Sequence, residues 1–198
     1  MANEFSKIRN QLMDGGINPR SEESRDWFMD KIQSIGRNLS RDSLMRKPPL
    51  KAVERVLPGQ MYLFYYQPKH AATLPYYDSF PLIFLLDTHR DGMSGINLHY
   101  LPMGARQTLF YNLMQTVDNP NIDDESYLKI SYKYLAGARS LKEYRPCYKK
   151  YLTKHVRGSI VKVPATEWEI AVHLPLALWR KADETKIHRE SESKIERY

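Results

Sequence analysis

Asp87, His89 and Asp91 stand at alternate positions of Asp87-Thr88-His89-Arg90-Asp91, types and spacing that would offer oxygen and nitrogen ligands to a divalent cation from one side of an extended chain. A metal site would need a second cluster. None follows: His70, His99, His155 and His173 are scattered and match neither His-x-x-x-His nor Cys-x-x-Cys, so no metal is expected. The same residue types serve backbone hydrogen bonding in a turn that ends Asp-Gly, which is the simpler role for this stretch. Asp78 has the type of a general base, but without a neighbouring carboxylate or imidazole it reads as a turn anchor. His99, in Asn97-Leu98-His99-Tyr100, would share a strand face with Asn97 and reads as a structurally hydrogen-bonded imidazole. A nuclease would need Asp78, Asp87 and Asp91 to converge on a metal, which only the fold could arrange. Cys147 is the single cysteine, so no internal disulfide forms, and as a nucleophile it would need a base beside it. No Gly-rich phosphate loop is present, and neither a catalytic residue nor a cofactor is expected.

Charge is more informative. The chain of 198 residues carries a net +7, and the excess lies in one stretch. Between Arg139 and Lys162 stand eight basic residues (Arg139, Lys142, Arg145, Lys149, Lys150, Lys154, Arg157 and Lys162) against the lone acid Glu143, leaving the rest of the chain balanced. Concentrated positive charge attracts polyanions because neutralising neighbouring phosphates releases their condensed counterions. Tyr144, Tyr148 and Tyr151 are interleaved with these cations, a mixture that pairs phosphate contacts with base stacking. Their spacing of four and then three would line one helical face, with Pro146 placing the start of that stripe near itself. The alternative is a solvated basic face whose tyrosines point inward. On the first reading Arg139, Lys142, Arg145, Lys149, Lys150, Lys154 and Arg157 contact phosphates, with Tyr148 and Tyr151 as stacking platforms, and the stretch faces outward as one continuous surface.

The elements that must carry these residues follow from periodicity. Residues 1–20 are polar and hold Gly15-Gly16 and Pro19, predicting a flexible arm. Residues 21–58 predict a helix opened by Ser21, with Trp27, Phe28, Ile32 and Ile35 on one side before Gly36, then a connector broken by Pro48-Pro49 and Pro58. Residues 59–180 predict an α+β core. In it Met61–Tyr66, Pro81–Asp87 and Gly95–Leu101 form three strands of a small, curved, antiparallel, SH3-like sheet flanked by helices. Leu109, Phe110, Leu113, Met114 and Val117 make one helical stripe, and a second helix runs from Asp123 through Tyr127, Leu128, Ile130, Tyr134 and Leu135. Ser159–Val163 alternates as a strand, and Thr166-Glu167-Trp168-Glu169 reads as a capping box. Residues 181–198 are a polar tail, apolar only at Ile187 and Ile195, so extended arms are expected at both ends. No run of about 18 apolar residues exists and the first residues lack the plan of a signal peptide, so a cytosolic protein without a membrane partner is expected.

The stretch Gly59-Gln60-Met61-Tyr62-Leu63-Phe64-Tyr65-Tyr66, then Leu74-Pro75-Tyr76-Tyr77-Asp78-Ser79-Phe80-Pro81-Leu82 and Gly95-Ile96-Asn97-Leu98-His99-Tyr100-Leu101-Pro102, resembles the DNA end protector family of T4-like tailed bacteriophages. Arg145-Pro146-Cys147-Tyr148-Lys149-Lys150-Tyr151-Leu152 and Glu167-Trp168-Glu169-Ile170-Ala171 share the likeness. The resemblance implies a non-enzymatic virion protein that sits on the ends of packaged double-stranded DNA and blocks host exonuclease. It further implies other virion proteins as partners, and residence in the virion and in the host cytoplasm during assembly and after injection. The alternative is a structural head-tail connector, neck, tail or baseplate component, whose poorly self-burying termini would insert into neighbouring subunits.

Overall fold

The computed structural model describes residues 4–37, 39–46, 50–117, 132–133, 137 and 142–196. Arg139 and the helix expected from Asp123 lie outside the described residues, apart from isolated positions.

The continuous apolar and aromatic run Met61-Tyr62-Leu63-Phe64-Tyr65-Tyr66 builds β2 (Met61–Tyr66), a strand apolar on both sides. It lies inside a six-stranded antiparallel sheet with β1 (Lys51–Ala52), β4 (Leu82–His89), β5 (Gly92–Asn97), β6 (Tyr148–Leu152) and β7 (Val156–Val163), in the order β1-β7-β2-β4-β5-β6. β1 and β6 are its edges, and Lys51 stands directly opposite Lys162 where β1 meets β7. A second ladder joins β3 (Tyr77–Asp78) to β8 (Trp179–Arg180). The fold class is α+β, as the sequence predicts, and the sheet does not close into a barrel. Register shifts between Leu63 and Tyr65 and between Leu85 and Asp87 are bulges, which bend a sheet and increase its twist.

One face bears Met61, Leu63, Leu82, Phe84, Ile96, Val161 and Val163 against the helices. These helices are α1 (Glu4–Asp14), α2 (Glu22–Arg37), α3 (Arg41–Arg46), α4 (Met103–Val117), α5 (Trp168–His173) and α6 (Glu184–Glu196). The other face gathers Tyr62, Phe64, Tyr66, Ile83, Leu85, Met93 and Tyr151 into a smaller cluster, with Val53 and Val56 packed on it. The third expected strand is shifted. It runs Gly92–Asn97, because the Asn97 side chain accepts from the His99 N–H and turns Leu98–Tyr100 into a 3₁₀ turn.

Both expected arms are helices docked on the chain's own core. Phe5, Ile8 and Leu12 recur on one side of α1 and are 0%, 3% and 1% exposed. An arm that orders only on a partner is therefore not what residues 4–14 form; three apolar side chains at helical spacing suffice to fix them. Arg9 donates to Glu167 Oε1 at 2.7 Å, tying α1 to the turn before α5. Ser21 caps α2 as expected, its Oγ accepting from the Ser24 N–H. The helix continues past Gly36, where a Cβ would sit 2.3 Å from Pro175 Cγ, so glycine lets α2 lie on the chain after α5. The connector supplies core residues too, Leu44 from α3 and Leu50 before β1. The capping box does not form. Glu169 accepts instead from the Arg20 N–H, the Ser24 hydroxyl and the Tyr111 hydroxyl, a clamp between α5, α2 and α4. At the other terminus Asp183 caps α6 through the Lys186 N–H, and Ile187 and Ser191 are buried.

The docked α1 predicts a measurable cost. Leu12→Ala should lower the stability of the whole chain by about 2–5 kcal/mol in a urea or thermal melt, as buried leucine truncations do, and a melt identical to wild type would mean that α1 is not part of the folded unit.

Candidate nucleic-acid interface

The basic stretch is mostly sheet. Lys142–Cys147 is a 3₁₀ turn, Tyr148–Leu152 is β6, Thr153–His155 is a second 3₁₀ turn and Val156–Val163 is β7. The single helical stripe of Tyr144, Tyr148 and Tyr151 is therefore absent. In a strand, residues three apart face opposite ways, so Tyr151 and Tyr148 part company. Tyr151 is 4% exposed, packed edge-on against Phe64 and Tyr66 with its hydroxyl taking the Asn97 amide N–H, and offers no ring face for a base. Tyr148 is half-buried, its hydroxyl 2.8 Å from Ser94 Oγ and 3.4 Å from Asp87 Oδ2. Tyr144 is buried in the main core.

The cations are likewise divided. Alternation sends Lys149 and Lys150 to opposite faces of β6. Lys149 is half-buried with its ammonium 4.1 Å from the Tyr100 ring centroid, a cation–π contact, and burial pulls its pKa down to about 8. Lys150 is exposed and paired with Asp91, Nζ to Oδ1 3.1 Å. Arg145, Lys154 and Arg157 are exposed, and Arg157 donates to Gln67 Oε1 at 3.0 Å. Lys142 begins the first 3₁₀ turn. One continuous outward surface is not formed.

A smaller assembly replaces it at one end of the sheet. The Thr153 N–H donates to the Asp91 carbonyl at 3.0 Å, which seats the β6–β7 link beside the β4–β5 turn, and the Gln67 N–H donates to the His155 carbonyl at 3.0 Å. His89, Arg90, Lys150, Lys154, His155 and Arg157 meet there, with Asp91 as the acid among them. Arg90 was outside the basic stretch; the Arg90-Asp91 turn gave no sign by itself that β6–β7 would lie against it.

A family model described as phage T4 terminal DNA protecting protein matches residues 1–191. The chain belongs to that family. No curated protein and no solved structure matches it.

The groups singled out for chemistry hold the fold instead. Asp78 is buried, and its carboxylate accepts from the N–H groups of Phe80 and Leu178 on one oxygen and from Asn97 Nδ2 and His99 Nδ1 on the other. Burial opposes its charge, but His99 and these donors outweigh it and hold the carboxyl below its ordinary range. Burial pushes the His99 imidazole down against the pull of Asp78, so His99 is the neutral donor of the pair. Asp87 and Asp91 do not join them: one meets Tyr148, the other Lys150. Among the described residues no group of three or more His, Cys, Asp or Glu side chains is placed to hold a metal ion. Cys147 is buried and its thiol is pushed up to about 12, far from a reactive thiolate.

His173 sets a pH dependence. Its ring stacks on Phe28, Nδ1–H donates to the Glu169 carbonyl at 2.8 Å, and Nε2 accepts from the Gln107 amide at 2.9 Å. Burial pulls its pKa down to about 4, because a proton on Nε2 would face the amide donor in a dry site. The unfolded imidazole takes up a proton near pH 6.5, so this contribution is complete above that value and is lost as pH falls toward 4. A depression from the ordinary 6.5 to about 4 corresponds to roughly 3 kcal/mol at full protonation. Urea melts between pH 7 and 4 should show stability falling with acid, and His173→Gln should flatten part of that slope; parallel curves would refute the assignment.

Proposed function

We propose that this protein binds the ends of packaged genomic duplex in the virion and shields them from host exonuclease by occupancy, without catalysis. The observation that carries this reading is the gathering of exposed cations at the strand ends, where main-chain hydrogen bonds hold Arg90 and Lys154 on neighbouring turns beside Arg157 at the start of β7, in a chain whose family is described by protection of terminal DNA. Phosphate contacts are indifferent to sequence, as a cap for any terminus must be, and they supply most of the affinity of such complexes. A nuclease would need acids converging on a cation. Asp78, Asp87 and Asp91 answer to three different partners, which favours a passive role.

A connector, neck, tail or baseplate role drew its support from termini unable to bury themselves. Since α1 and α6 bury Phe5, Ile8, Leu12 and Ile187 in the chain's own core, that support is withdrawn.

Capping and coating separate in one experiment. On a linear blunt duplex with a central restriction site, saturating protein should slow a double-strand exonuclease severalfold while leaving restriction cleavage unchanged. Equal slowing of both reactions, or of neither, would overturn the proposal.

A further inference from the structure

Resting on that reading, we propose that Arg90 of the β4–β5 turn, Lys154 of the β6–β7 link and Arg157 at the start of β7 form the phosphate-binding rim for duplex DNA, and that Asp91 occupies Lys150 as an internal stand-in for phosphate.

The rim is a product of topology. The Thr153–Asp91 hydrogen bond places Lys154 and Arg90 each one residue from a joined pair, and the Gln67–His155 bond with the Arg157–Gln67 contact fixes the same link from its other side. Arg90 and Lys154 are exposed and make no hydrogen bond or ion pair with the described residues, so their charge is available to an incoming anion at little desolvation cost. His89 and His155 flank them without adding an acid. Side chains on turns project beyond the strand ends, where a rod-like polyanion can approach without displacing either buried sheet face.

Lys150 is the exception. Its ammonium lies 3.1 Å from one Asp91 carboxylate oxygen and 3.3 Å from the other, an arrangement a phosphate would reproduce. The pair is more than half exposed, 52% and 58%, so it is a weak bond that a phosphate can replace. Lys150 in turn holds the Asp91 carboxyl below its ordinary range, so Asp91 stays charged and offsets the Lys150 charge that DNA would otherwise meet. The DNA class follows from the spread of cations over two turns and the strand residues beside them, which suits repeated phosphates better than one compact anion.

The test is fluorescence anisotropy with a blunt duplex of about 20 base pairs, titrated at several salt concentrations. The full chain is compared with Arg90→Glu/Lys154→Glu, Asp91→Asn and, as a control away from the rim, Lys31→Glu. Circular dichroism melts confirm that each variant is folded. The double reversal should weaken binding by more than about tenfold at about 0.1 M salt and lower the salt slope by about 2, one lost phosphate contact per residue. Asp91→Asn should bind more tightly than wild type, and Lys31→Glu should bind within about twofold of it. Wild-type binding with a double variant no weaker than the control would overturn the rim and leave end protection standing. Wild type that ignores the duplex at low salt would overturn the functional reading and the rim with it.

Discussion

A sheet that is apolar on both faces leaves charge nowhere to go but its ends, and this constraint organises the molecule. In β2, Met61 and Leu63 join the helix-side core while Tyr62 and Phe64 join the cluster behind, so neither surface of the central strands can carry a binding site. Burying an unpaired ammonium in either layer would cost several kcal/mol, an order of magnitude set by ion desolvation. Arg106 is buried only because its guanidinium donates to the Val172 and Leu101 carbonyls, and the half-buried Lys149 lies over the Tyr100 ring at the expense of its basicity. Arg90 and Lys154 stand exposed on turns, with Lys150 and Arg157 on the strands beside them, and this is the edge proposed above to meet the partner.

The buried polar groups serve the same end by fixing those turns from within. Asp78 receives donors from the chain just after β3, from the 3₁₀ turn after β5 and from the chain entering β8, and Asn97 extends the network to Tyr151 on β6. β6 is thus anchored toward its C-terminal end by the Tyr151 hydroxyl and by the Leu152 N–H donating to the Tyr66 hydroxyl. A cation displayed at the end of such a strand keeps its position, which matters when affinity is the sum of several modest phosphate contacts.

How much of this was legible depends on the range of each interaction. The apolar and aromatic run Met61–Tyr66, the helical stripe through Leu109, Phe110 and Leu113, the Ser21 cap and the strand before Pro164 are local patterns, and the fold contains them. α1 was missed because its polar average concealed Phe5, Ile8 and Leu12, whose spacing was visible but whose burial requires α5 to lie beneath. The tyrosine stripe failed because spacings of four and three fit a helix, while β5 pairing puts Tyr148 and Tyr151 in an edge strand and leaves Tyr144 in the 3₁₀ turn before it. The concentration of charge in one stretch was legible, yet the partnership of Arg90 with Lys154 depends on the β5–β6 ladder and the Thr153–Asp91 bond between distant segments, and no window along the sequence contains both.

The short first strand has a bearing on crowding. β1 spans two residues and sets Lys51 squarely opposite Lys162, two like charges across the outermost ladder. Another copy adding a strand there would have few backbone groups to grip and a further ammonium field to overcome. Where many chains are held close together, this border discourages runaway stacking into fibres and keeps each molecule a separate unit.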